Sequence, residues 1–361
     1  MSKKILMTGN EAVAEGAIQA GCRFYAGYPI TPQNELPAYM AKRMPEAGGV
    51  FIQAESELAA INMVFGASAS GARAMTSSSS PGISLKQEGI SYIAGAELPA
   101  VIVNVMRGGP GLVNIWPAQS DYFQATRSGG HGDYHSLVLA PYSVQEAYDF
   151  MSLAFALADK YRMPVIILSD GMLGQMMEPL VAYRISHIAY RNDKRLAISN
   201  KPKPWALTGC KDRRPNIIKS FYMKEGDLEK FNLTLQKKYQ TIQEKEQRYE
   251  GLLLDDARVI LVAYGTMARI ARSAVHTLRK KGKKVGLIRP VTLWPFPKKI
   301  FQRLAISDKR LAFLVIEMSY GQMLEDVKLA VNGKAKIEFL GRSGGGIPTE
   351  GEIIKKIAKG Y

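Results

Sequence analysis

Short apolar segments alternate with helical patterns along residues 1–180 of the chain. The apolar segments predict strands at residues 24–27, 50–53, 74–77, 100–105, 137–140 and 164–168. The patterns between them predict helices at residues 11–20, 57–70, 82–95 and 143–160, with Asn10 capping the first helix and Gly21 ending it. Such alternation is typical of a parallel sheet flanked by helices, which binds ligands at the carboxyl ends of its strands.

The alternation of apolar segments and helical patterns stops between about residues 184 and 254. In this region a stretch rich in proline and lysine precedes a polar helix predicted over residues 228–250. Regular alternation then resumes, with apolar segments at residues 259–263, 284–288 and 312–317 and a helix at residues 267–281. We therefore expect an α/β fold in three parts. A parallel-sheet domain covers residues 1–183, a basic linker or insertion covers 184–254, and a smaller α/β domain covers 255–361.

The 361 residues carry a net charge of +16, which raises the question of nucleic-acid binding. Residues 184–250 hold 16 Lys and Arg against 8 Asp and Glu, and this segment alone supplies half of the net charge. It contains no aromatic stacking motif, so a solvated basic face or a docking surface for an acidic partner explains the charge better than a nucleic-acid site.

Hydrophobic residues make up 47% of the chain, yet no apolar run approaches the ~20 residues that span a bilayer. We expect a cytoplasmic protein without a membrane segment. Cys22 and Cys210 are the two cysteines, and neither belongs to a Cys-x-x-Cys pattern. The chain therefore cannot supply the four thiolates of an iron–sulfur cluster.

Glu57 is the most informative residue, because it places an acid at the start of a predicted helix directly after the apolar segment 50–53. A carboxylate at such a turn can be held against a ring nitrogen of a cofactor. Gly66, nine positions later, is expected to let the helix pack closely against its neighbours. The alternative is an acid that complements the helix dipole, a role that Glu55 fills equally well.

Two further candidates follow other predicted strands. Thr31 lies between Pro29 and Pro32, which fix the loop backbone and leave a hydroxyl group suited to a small keto acid; Thr31 or Asn34 as an ordinary helix cap is the alternative. Arg107 follows an apolar strand, where a guanidinium group can bind a carboxylate through two hydrogen bonds, although many strands end in a surface arginine.

Residues 76–82, Thr-Ser-Ser-Ser-Ser-Pro-Gly, form a hydroxyl-rich turn between strand and helix that can donate hydrogen bonds to a cofactor or substrate. The turn has neither a Walker lysine nor a Gly-x-Gly-x-x-Gly run, so a nucleotide phosphate site is not predicted.

Taken with Tyr28-Pro-Ile-Thr-Pro32 and Val105-Met-Arg-Gly-Gly-Pro-Gly111, these motifs resemble the alpha subunit of 2-oxoacid:ferredoxin oxidoreductases over nearly the whole chain. Residues 108–115 and 129–134 are most similar to the branched-chain (3-methyl-2-oxobutanoate) subfamily. The resemblance implies a pyrimidine-binding domain for thiamine diphosphate, followed by a smaller domain like the carboxyl-terminal domain of transketolase.

The resemblance also implies roles for individual residues. Glu57 would activate thiamine diphosphate, Thr31 and Arg107 would bind the substrate, and further residues would surround the cofactor or line the site. The cofactor residues are Tyr28, Pro29 and Ile30, and the lining residues are Ser78, Ser79, Gly108, Gly109 and His131.

The implied reaction is the oxidative decarboxylation of a 2-oxoacid with coenzyme A and ferredoxin, giving acyl-CoA, CO2 and reduced ferredoxin. Its diphosphate and Mg site would lie on a beta subunit, and its 4Fe-4S clusters on a ferredoxin-like subunit, with a gamma subunit or domain completing the complex. The isolated chain would then be inactive. Substrate alternatives are pyruvate and 2-oxoglutarate; functional alternatives are a transketolase-like or lipoamide-linked dehydrogenase component and a scaffold subunit.

No metal site is predicted on this chain. His131 and His135 have a metal-like spacing, but Gly132 and Asp133 between them disfavour a helix and no third ligand is evident. Asp170-Gly171, with Asn192 about twenty residues on, partly resembles a thiamine diphosphate–magnesium motif. Ser169 replaces the first glycine of that motif, so we expect an ordinary strand-end turn there.

Overall fold

The computed structural model describes residues 4–182, 203–307 and 311–360 of the chain. Its strands are β1 (Lys4–Thr8), β2 (Phe24–Gly27), β3 (Val50–Gln53), β4 (Ala74–Ser78), β5 (Ala100–Met106), β6 (Leu137–Leu139), β7 (Pro164–Asp170), β8 (Met177–Val181), β9 (Tyr249–Leu252), β10 (Val259–Val262), β11 (Val285–Pro290), β12 (Thr292–Trp294), β13 (Ala312–Glu317) and β14 (Lys336–Gly341). Its helices are α1 (Gly9–Gln19), α2 (Glu35–Glu46), α3 (Glu57–Ala69), α4 (Ser80–Gly95), α5 (Tyr122–Thr126), α6 (Val144–Tyr161), α7 (Gly171–Gln175), α8 (Asp227–Lys245), α9 (Gly265–Lys280), α10 (Lys298–Ser307), α11 (Gln322–Val331) and α12 (Glu350–Gly360).

The larger sheet has the strand order β12-β6-β7-β5-β4-β2-β3, and its strands are parallel except for β12, which runs antiparallel to β6. A second sheet has the order β14-β13-β10-β11-β9, with β9 antiparallel at one edge. β1 and β8 form an antiparallel pair. The predicted α/β class with parallel sheets is confirmed.

All six strands predicted in the first part of the chain form in the larger sheet, and β5 and β7 show the nearly continuous apolar sequences that strands buried on both faces require. The pattern missed the strands β1, β8, β9, β12 and β14. β9 lies where the polar helix was predicted to continue; α8 instead ends at Lys245, and Tyr249–Leu252 pairs with β11. The expectation of one helix over residues 228–250 was wrong at its carboxyl end.

The first helix begins earlier than expected and has a different cap. Thr8 caps α1 in a capping box with Glu11. Asn10, the expected cap, is instead buried inside the helix, where its amide donates hydrogen bonds to the carbonyl of Pro32 (2.8 Å) and to Glu35 (2.7 Å). Asn10 therefore fixes the loop that carries Thr31, a position that local capping statistics do not reveal.

Buried polar contacts join the two larger sheets. Arg289 on β11 is 4% exposed, and its guanidinium binds both carboxylate oxygens of Glu146 on α6, at 2.8 and 3.0 Å. Asp170, at the end of β7, accepts hydrogen bonds from the backbone and the hydroxyl group of Thr266 on α9. These contacts and strand β12 connect the second sheet to the first, while the proposed limits of the three parts remain a prediction.

None of the helices within the described ranges is both long and apolar enough to cross a membrane.

Candidate active site

The predicted residues Thr31, Glu57, Ser78 and Arg107 lie on one edge of the larger sheet, which we call the sheet rim: the carboxyl ends of β2, β3, β4 and β5. These four strands are neighbours and run parallel, so the loops that follow them meet at the same edge. The loops carry Thr31, Glu57, Ser78 and Arg107 in turn. Four segments that are distant in sequence are thus brought together.

Glu57 is the first residue of α3 and is 5% exposed, whereas Glu55 is exposed. Ser56 caps the helix by accepting a hydrogen bond from the Ala59 amide, and the helix dipole favours a carboxylate at this end. The hydroxyl group of Ser78 donates to Oε1 of Glu57 over a long 3.5 Å. Within the described ranges this is the one hydrogen bond to the Glu57 carboxylate, which leaves it able to bind a further donor.

Space beside this carboxylate is provided by Gly82, not by Gly66. A Cβ atom at Gly82 would lie 2.1 Å from the Ser78 hydroxyl oxygen and 2.4 Å from Oε1 of Glu57. Along the same helix, a Cβ atom at Gly89 would meet Ile61 of α3 at 2.5 Å. Gly66 lies within α3, which continues to Ala69, and a Cβ atom added at Gly66 would meet no other atom within 4 Å. The expectation that Gly66 lets this helix pack closely against its neighbours was therefore wrong. The close approach of α3 and α4 depends on glycines of α4.

Gly82→Ala is expected to displace the Glu57 carboxylate and to lower turnover of the assembled enzyme at least ~10-fold, because small misplacements of catalytic groups are costly. Overpacking should also lower the free energy of unfolding by ~1–3 kcal/mol. Gly66→Ala is the matched control: its new methyl group meets nothing, and alanine favours a helix interior. Steady-state kinetics and thermal unfolding of both variants test this. Equal activity of the two would contradict the assigned geometry.

Lys86 was missed by the sequence reasoning. Its side chain on α4 is 0% exposed, and its ammonium group donates a hydrogen bond to the backbone carbonyl of Glu57 at 3.2 Å. Burial lowers the pKa of Lys86 to about 8, an effect that the Glu57 carboxylate opposes. The sequence did contain a sign that Lys86 is buried. Its spacing places it on one helix face with three isoleucines, Ile83, Ile90 and Ile93, which are buried in the structure.

The hydroxyl-rich turn of residues 76–82 is hydrogen-bonded to other loops of the rim, and the hydroxyl group of Ser79 is left without a partner in the described part of the chain. Ser77 donates to Gln33 at 2.5 Å, and Ser80 accepts the Arg107 amide at 3.1 Å while it donates to half-buried Asp121 at 2.6 Å. The buried hydroxyl group of Ser79 has no hydrogen-bond partner among the residues described. Ser78 therefore contacts Glu57, and Ser79 offers an unused donor beside it.

Arg107 is 9% exposed and joins two loops of the rim. Its terminal nitrogens donate to the carbonyl of Thr31 at 2.7 Å and of Leu112 at 3.3 Å, while its Nε is buried and lacks a partner in the described part of the chain. Burial lowers the pKa of Arg107. The sequence predicted a guanidinium group at the strand end that can bind a carboxylate through two hydrogen bonds; in the structure its terminal nitrogens are bonded to backbone carbonyls, which fix its position.

The loop from Tyr28 to Thr31 is held by Gln33, whose amides donate to the carbonyls of Ile30 (3.1 Å) and Tyr28 (3.3 Å). The side chains of Tyr28 and Pro29 are exposed at the rim. The Thr31 hydroxyl accepts a hydrogen bond from Asn34 at 3.3 Å. The predicted cofactor-binding segment is therefore an ordered loop with open side chains.

The glycine loop after Arg107 reaches the third part of the chain, residues 255–361. The Gly108 amide donates to the Trp116 carbonyl at 2.9 Å, and Asn114 donates to the carbonyl of Gly344 at 3.0 Å. Gly109 has only Val113 near it, at 3.7 Å from the position of an added Cβ atom. This loop can therefore line the site on the side of the second sheet.

The two histidines have different surroundings. His131 lines a cavity of about 200 Å³ together with Tyr92 and Phe231, and its carbonyl accepts a hydrogen bond from Ser91. His135 stacks on Trp294 with 4.4 Å between ring centres. No hydrogen bond or ion pair joins His131 and Glu57 in the described regions, and a role for His131 in lining the site stays a prediction.

Asp170 is buried and caps α7 by accepting hydrogen bonds from the amides of Met172 and Leu173, as an ordinary strand-end turn does. Burial raises the pKa of this carboxyl group, and the hydrogen bonds oppose the rise. Asn192 lies outside the described residues. Within those residues, no three His, Cys, Asp or Glu side chains are grouped to hold a metal ion.

The chain matches two family models. The thiamine diphosphate-binding model of pyruvate flavodoxin/ferredoxin oxidoreductases matches residues 15–249, and the model of pyruvate:ferredoxin oxidoreductase core domain II matches residues 257–353.

Similar proteins agree with these matches. The chain is 50% identical to the ketoisovalerate oxidoreductase subunit VorB of Methanothermobacter marburgensis, over 98% of this chain and 96% of the relative. It is 38% identical to the 2-oxoglutarate synthase subunit KorA of the same organism, over 99% of both chains. It is also 31% identical to the pyruvate synthase subunit PorA of Thermotoga maritima, over 94% of this chain and 88% of the relative.

Among solved structures, 2-oxoglutarate:ferredoxin oxidoreductase from Magnetococcus marinus, with 2-oxoglutarate, coenzyme A and succinyl-CoA bound, superposes with a TM-score of 0.88 at 27% identity. The match covers 99% of this chain and 65% of the longer one. A split-gene transketolase superposes with a TM-score of 0.57 at 13% identity over 98% of this chain and 97% of its own, which shows a shared fold. The chain therefore belongs to the thiamine diphosphate-dependent 2-oxoacid:ferredoxin oxidoreductase family, as its rim motifs predicted.

Proposed function

We propose that the chain is the alpha subunit of a 2-oxoacid:ferredoxin oxidoreductase that converts 3-methyl-2-oxobutanoate and coenzyme A to acyl-CoA, CO2 and reduced ferredoxin. The observation that carries this function is the buried Glu57 carboxylate at the start of α3, with a single long hydrogen bond within the described part of the chain. The higher identity to a ketoisovalerate oxidoreductase subunit than to a 2-oxoglutarate synthase subunit supports the choice of substrate.

The residues present fit the aminopyrimidine ring of thiamine diphosphate. Glu57 offers a carboxylate, Ser79 offers a buried hydroxyl group without a partner among the described residues, and Gly82 leaves the room that the Glu57 carboxylate and the Ser78 hydroxyl group occupy. When bound, thiamine diphosphate would supply the nucleophile and the electron sink that decarboxylation of a 2-oxoacid requires. Glu57 would hold a proton against the ring nitrogen, and the loop from Tyr28 to Ile30 would contact the ring.

Arg107 and Thr31 would orient the substrate. The guanidinium group is fixed at the rim by two backbone carbonyls, so it would meet the oxoacid carboxylate without losing further side-chain freedom. The Thr31 hydroxyl would donate a hydrogen bond at the same edge. Ser78, Gly108, Gly109 and His131 are proposed to line the site.

The remaining groups would come from partners. Cys22 is buried and Cys210 is exposed, and burial raises the pKa of the Cys22 thiol to about 12, which makes it a poor thiolate ligand. We therefore place the 4Fe-4S clusters on a ferredoxin-like subunit, the diphosphate and Mg site on a beta subunit, and a gamma subunit or domain in the same complex. The cytoplasmic location remains a prediction from the sequence.

The substrate is tested by reconstituting the full complex and measuring coenzyme A-dependent ferredoxin reduction with 3-methyl-2-oxobutanoate, pyruvate and 2-oxoglutarate. We expect kcat/KM to be about 10-fold or more higher for the branched-chain acid. A preference for 2-oxoglutarate would refute the substrate assignment and retain the reaction class. Turnover of none of the three acids would refute the reaction class.

A further inference from the structure

Lys86 is a fully buried cation that the proposed reaction does not yet use. Its side chain is 0% exposed where α4 packs against α3, and its ammonium group donates to the Glu57 carbonyl at 3.2 Å. Of the charged groups in the described regions, the Glu57 carboxylate is the one that acts on it electrostatically. From the neighbouring strand β4, the uncharged Ser78 faces the same carboxylate.

This arrangement costs stability. The pKa of Lys86 is lowered to about 8 from an ordinary value of 10.5, because burial removes its hydration. Between these two pH values the unfolded chain binds a proton that the folded chain has released, so stability rises with pH across this range and the full cost applies below about pH 8. A methionine would fill similar space without this cost, and groups that reduce stability in this way are typical of functional sites.

We propose that Lys86 is a positioning residue for Glu57. The ammonium group holds the carbonyl of the first residue of α3 and thereby fixes the backbone from which the Glu57 side chain extends. Its charge also balances the buried carboxylate, so Glu57 keeps one position when the cofactor ring binds. Glu57 contacts the cofactor and Lys86 acts through Glu57; the role therefore rests on the proposed function.

The test is a double-mutant cycle that compares four proteins: wild type, Glu57→Gln, Lys86→Met and the double variant. In the reconstituted complex, Lys86→Met is expected to lower turnover of 3-methyl-2-oxobutanoate by roughly 10-fold to 100-fold. In the Glu57→Gln background the same change should cause no further loss, because the residue that it positions is already inactive. An equal factor in both backgrounds, or full activity of Lys86→Met, would overturn the proposal.

Thermal unfolding of the full chain, without cofactor, provides a second measurement. Glu57→Gln leaves the ammonium group buried without its counter-charge and should lower Tm at pH 7, and adding Lys86→Met should restore it. The difference between the single and double variants should shrink as pH rises above about 8 and vanish only above about 10.5, where the lysine is neutral in both states. Additive losses of Tm would overturn the proposal.

Lys238→Met is the matched control. Lys238 on α8 also has a pKa lowered by burial, but its ammonium group pairs with Glu97 at 2.9 Å. Its effects on Tm and turnover should be the same in both Glu57 backgrounds. If the wild-type complex turns over none of the three oxoacids, the proposed function fails, and the Tm cycle still decides whether Lys86 is coupled to Glu57.

Discussion

Glu57→Gln is expected to lower the turnover of the reconstituted complex by ~100-fold or more, since an acid that moves a proton in the transition state typically contributes this much. Glutamine has nearly the same shape, so α3 should keep its start, but an amide cannot supply or accept the proton that the carboxyl group exchanges. Coenzyme A-dependent ferredoxin reduction at saturating thiamine diphosphate measures the effect.

Glu55→Gln is the matched control for this prediction. Glu55 lies two residues earlier and is exposed, whereas Glu57 is 5% exposed and accepts the Ser78 hydroxyl. We expect Glu55→Gln to leave turnover unchanged. Loss of activity in both variants would indicate a general effect of charge at this end of the helix, and loss in Glu55→Gln alone would show that the wrong acid has been assigned.

Arg107→Met should have the second largest effect, a fall in kcat/KM for the oxoacid of about 10-fold to 100-fold, as expected for the loss of hydrogen bonds to a charged group. Arg107→Lys should recover little of this, because an ammonium group cannot reproduce the paired geometry of a guanidinium group. Steady-state kinetics should assign most of the change to KM, because the carboxylate is bound before and during the reaction.

Arg107 also holds the carbonyls of Thr31 and Leu112, so its variants require a control for loop structure. Arg279→Met removes a guanidinium group that pairs with Asp256 in the third part of the chain, and it should leave kcat/KM unchanged. Thermal unfolding should detect any collapse of the rim. An unchanged KM in a stably folded Arg107→Met complex would exclude Arg107 from substrate binding.

The parallel sheet could be predicted because its central strands are recognisable from their own apolar sequences. Residues 100–105 and 164–168 are almost entirely apolar, as strands buried on both faces must be. β12 could not be predicted in the same way. It has three residues, and it exists because β6, far away in sequence, offers an edge for pairing.

The sequence predicted that the candidate site lies at the carboxyl ends of the strands. It did not predict the contacts between the side chains of the site. The sequence placed Glu57 and Arg107 after two strands of one parallel sheet, which is enough to bring them to the same edge of that sheet. It did not show that Gly82 rather than Gly66 makes room for the carboxylate, because that depends on how α3 and α4 approach each other. Lys86 was missed for a different reason: lysine usually signals exposure, and only its helical spacing with buried isoleucines indicated otherwise.

The central claim, that Glu57 activates thiamine diphosphate, is tested most directly by the exchange of the hydrogen on the thiazolium carbon for deuterium, measured in the substrate-free complex loaded with cofactor. This rate depends on neither the iron–sulfur partners nor the identity of the oxoacid. We predict that Glu57→Gln slows the exchange by ~100-fold or more while Glu55→Gln leaves it unchanged. Equal exchange rates in the wild type and Glu57→Gln would contradict the account.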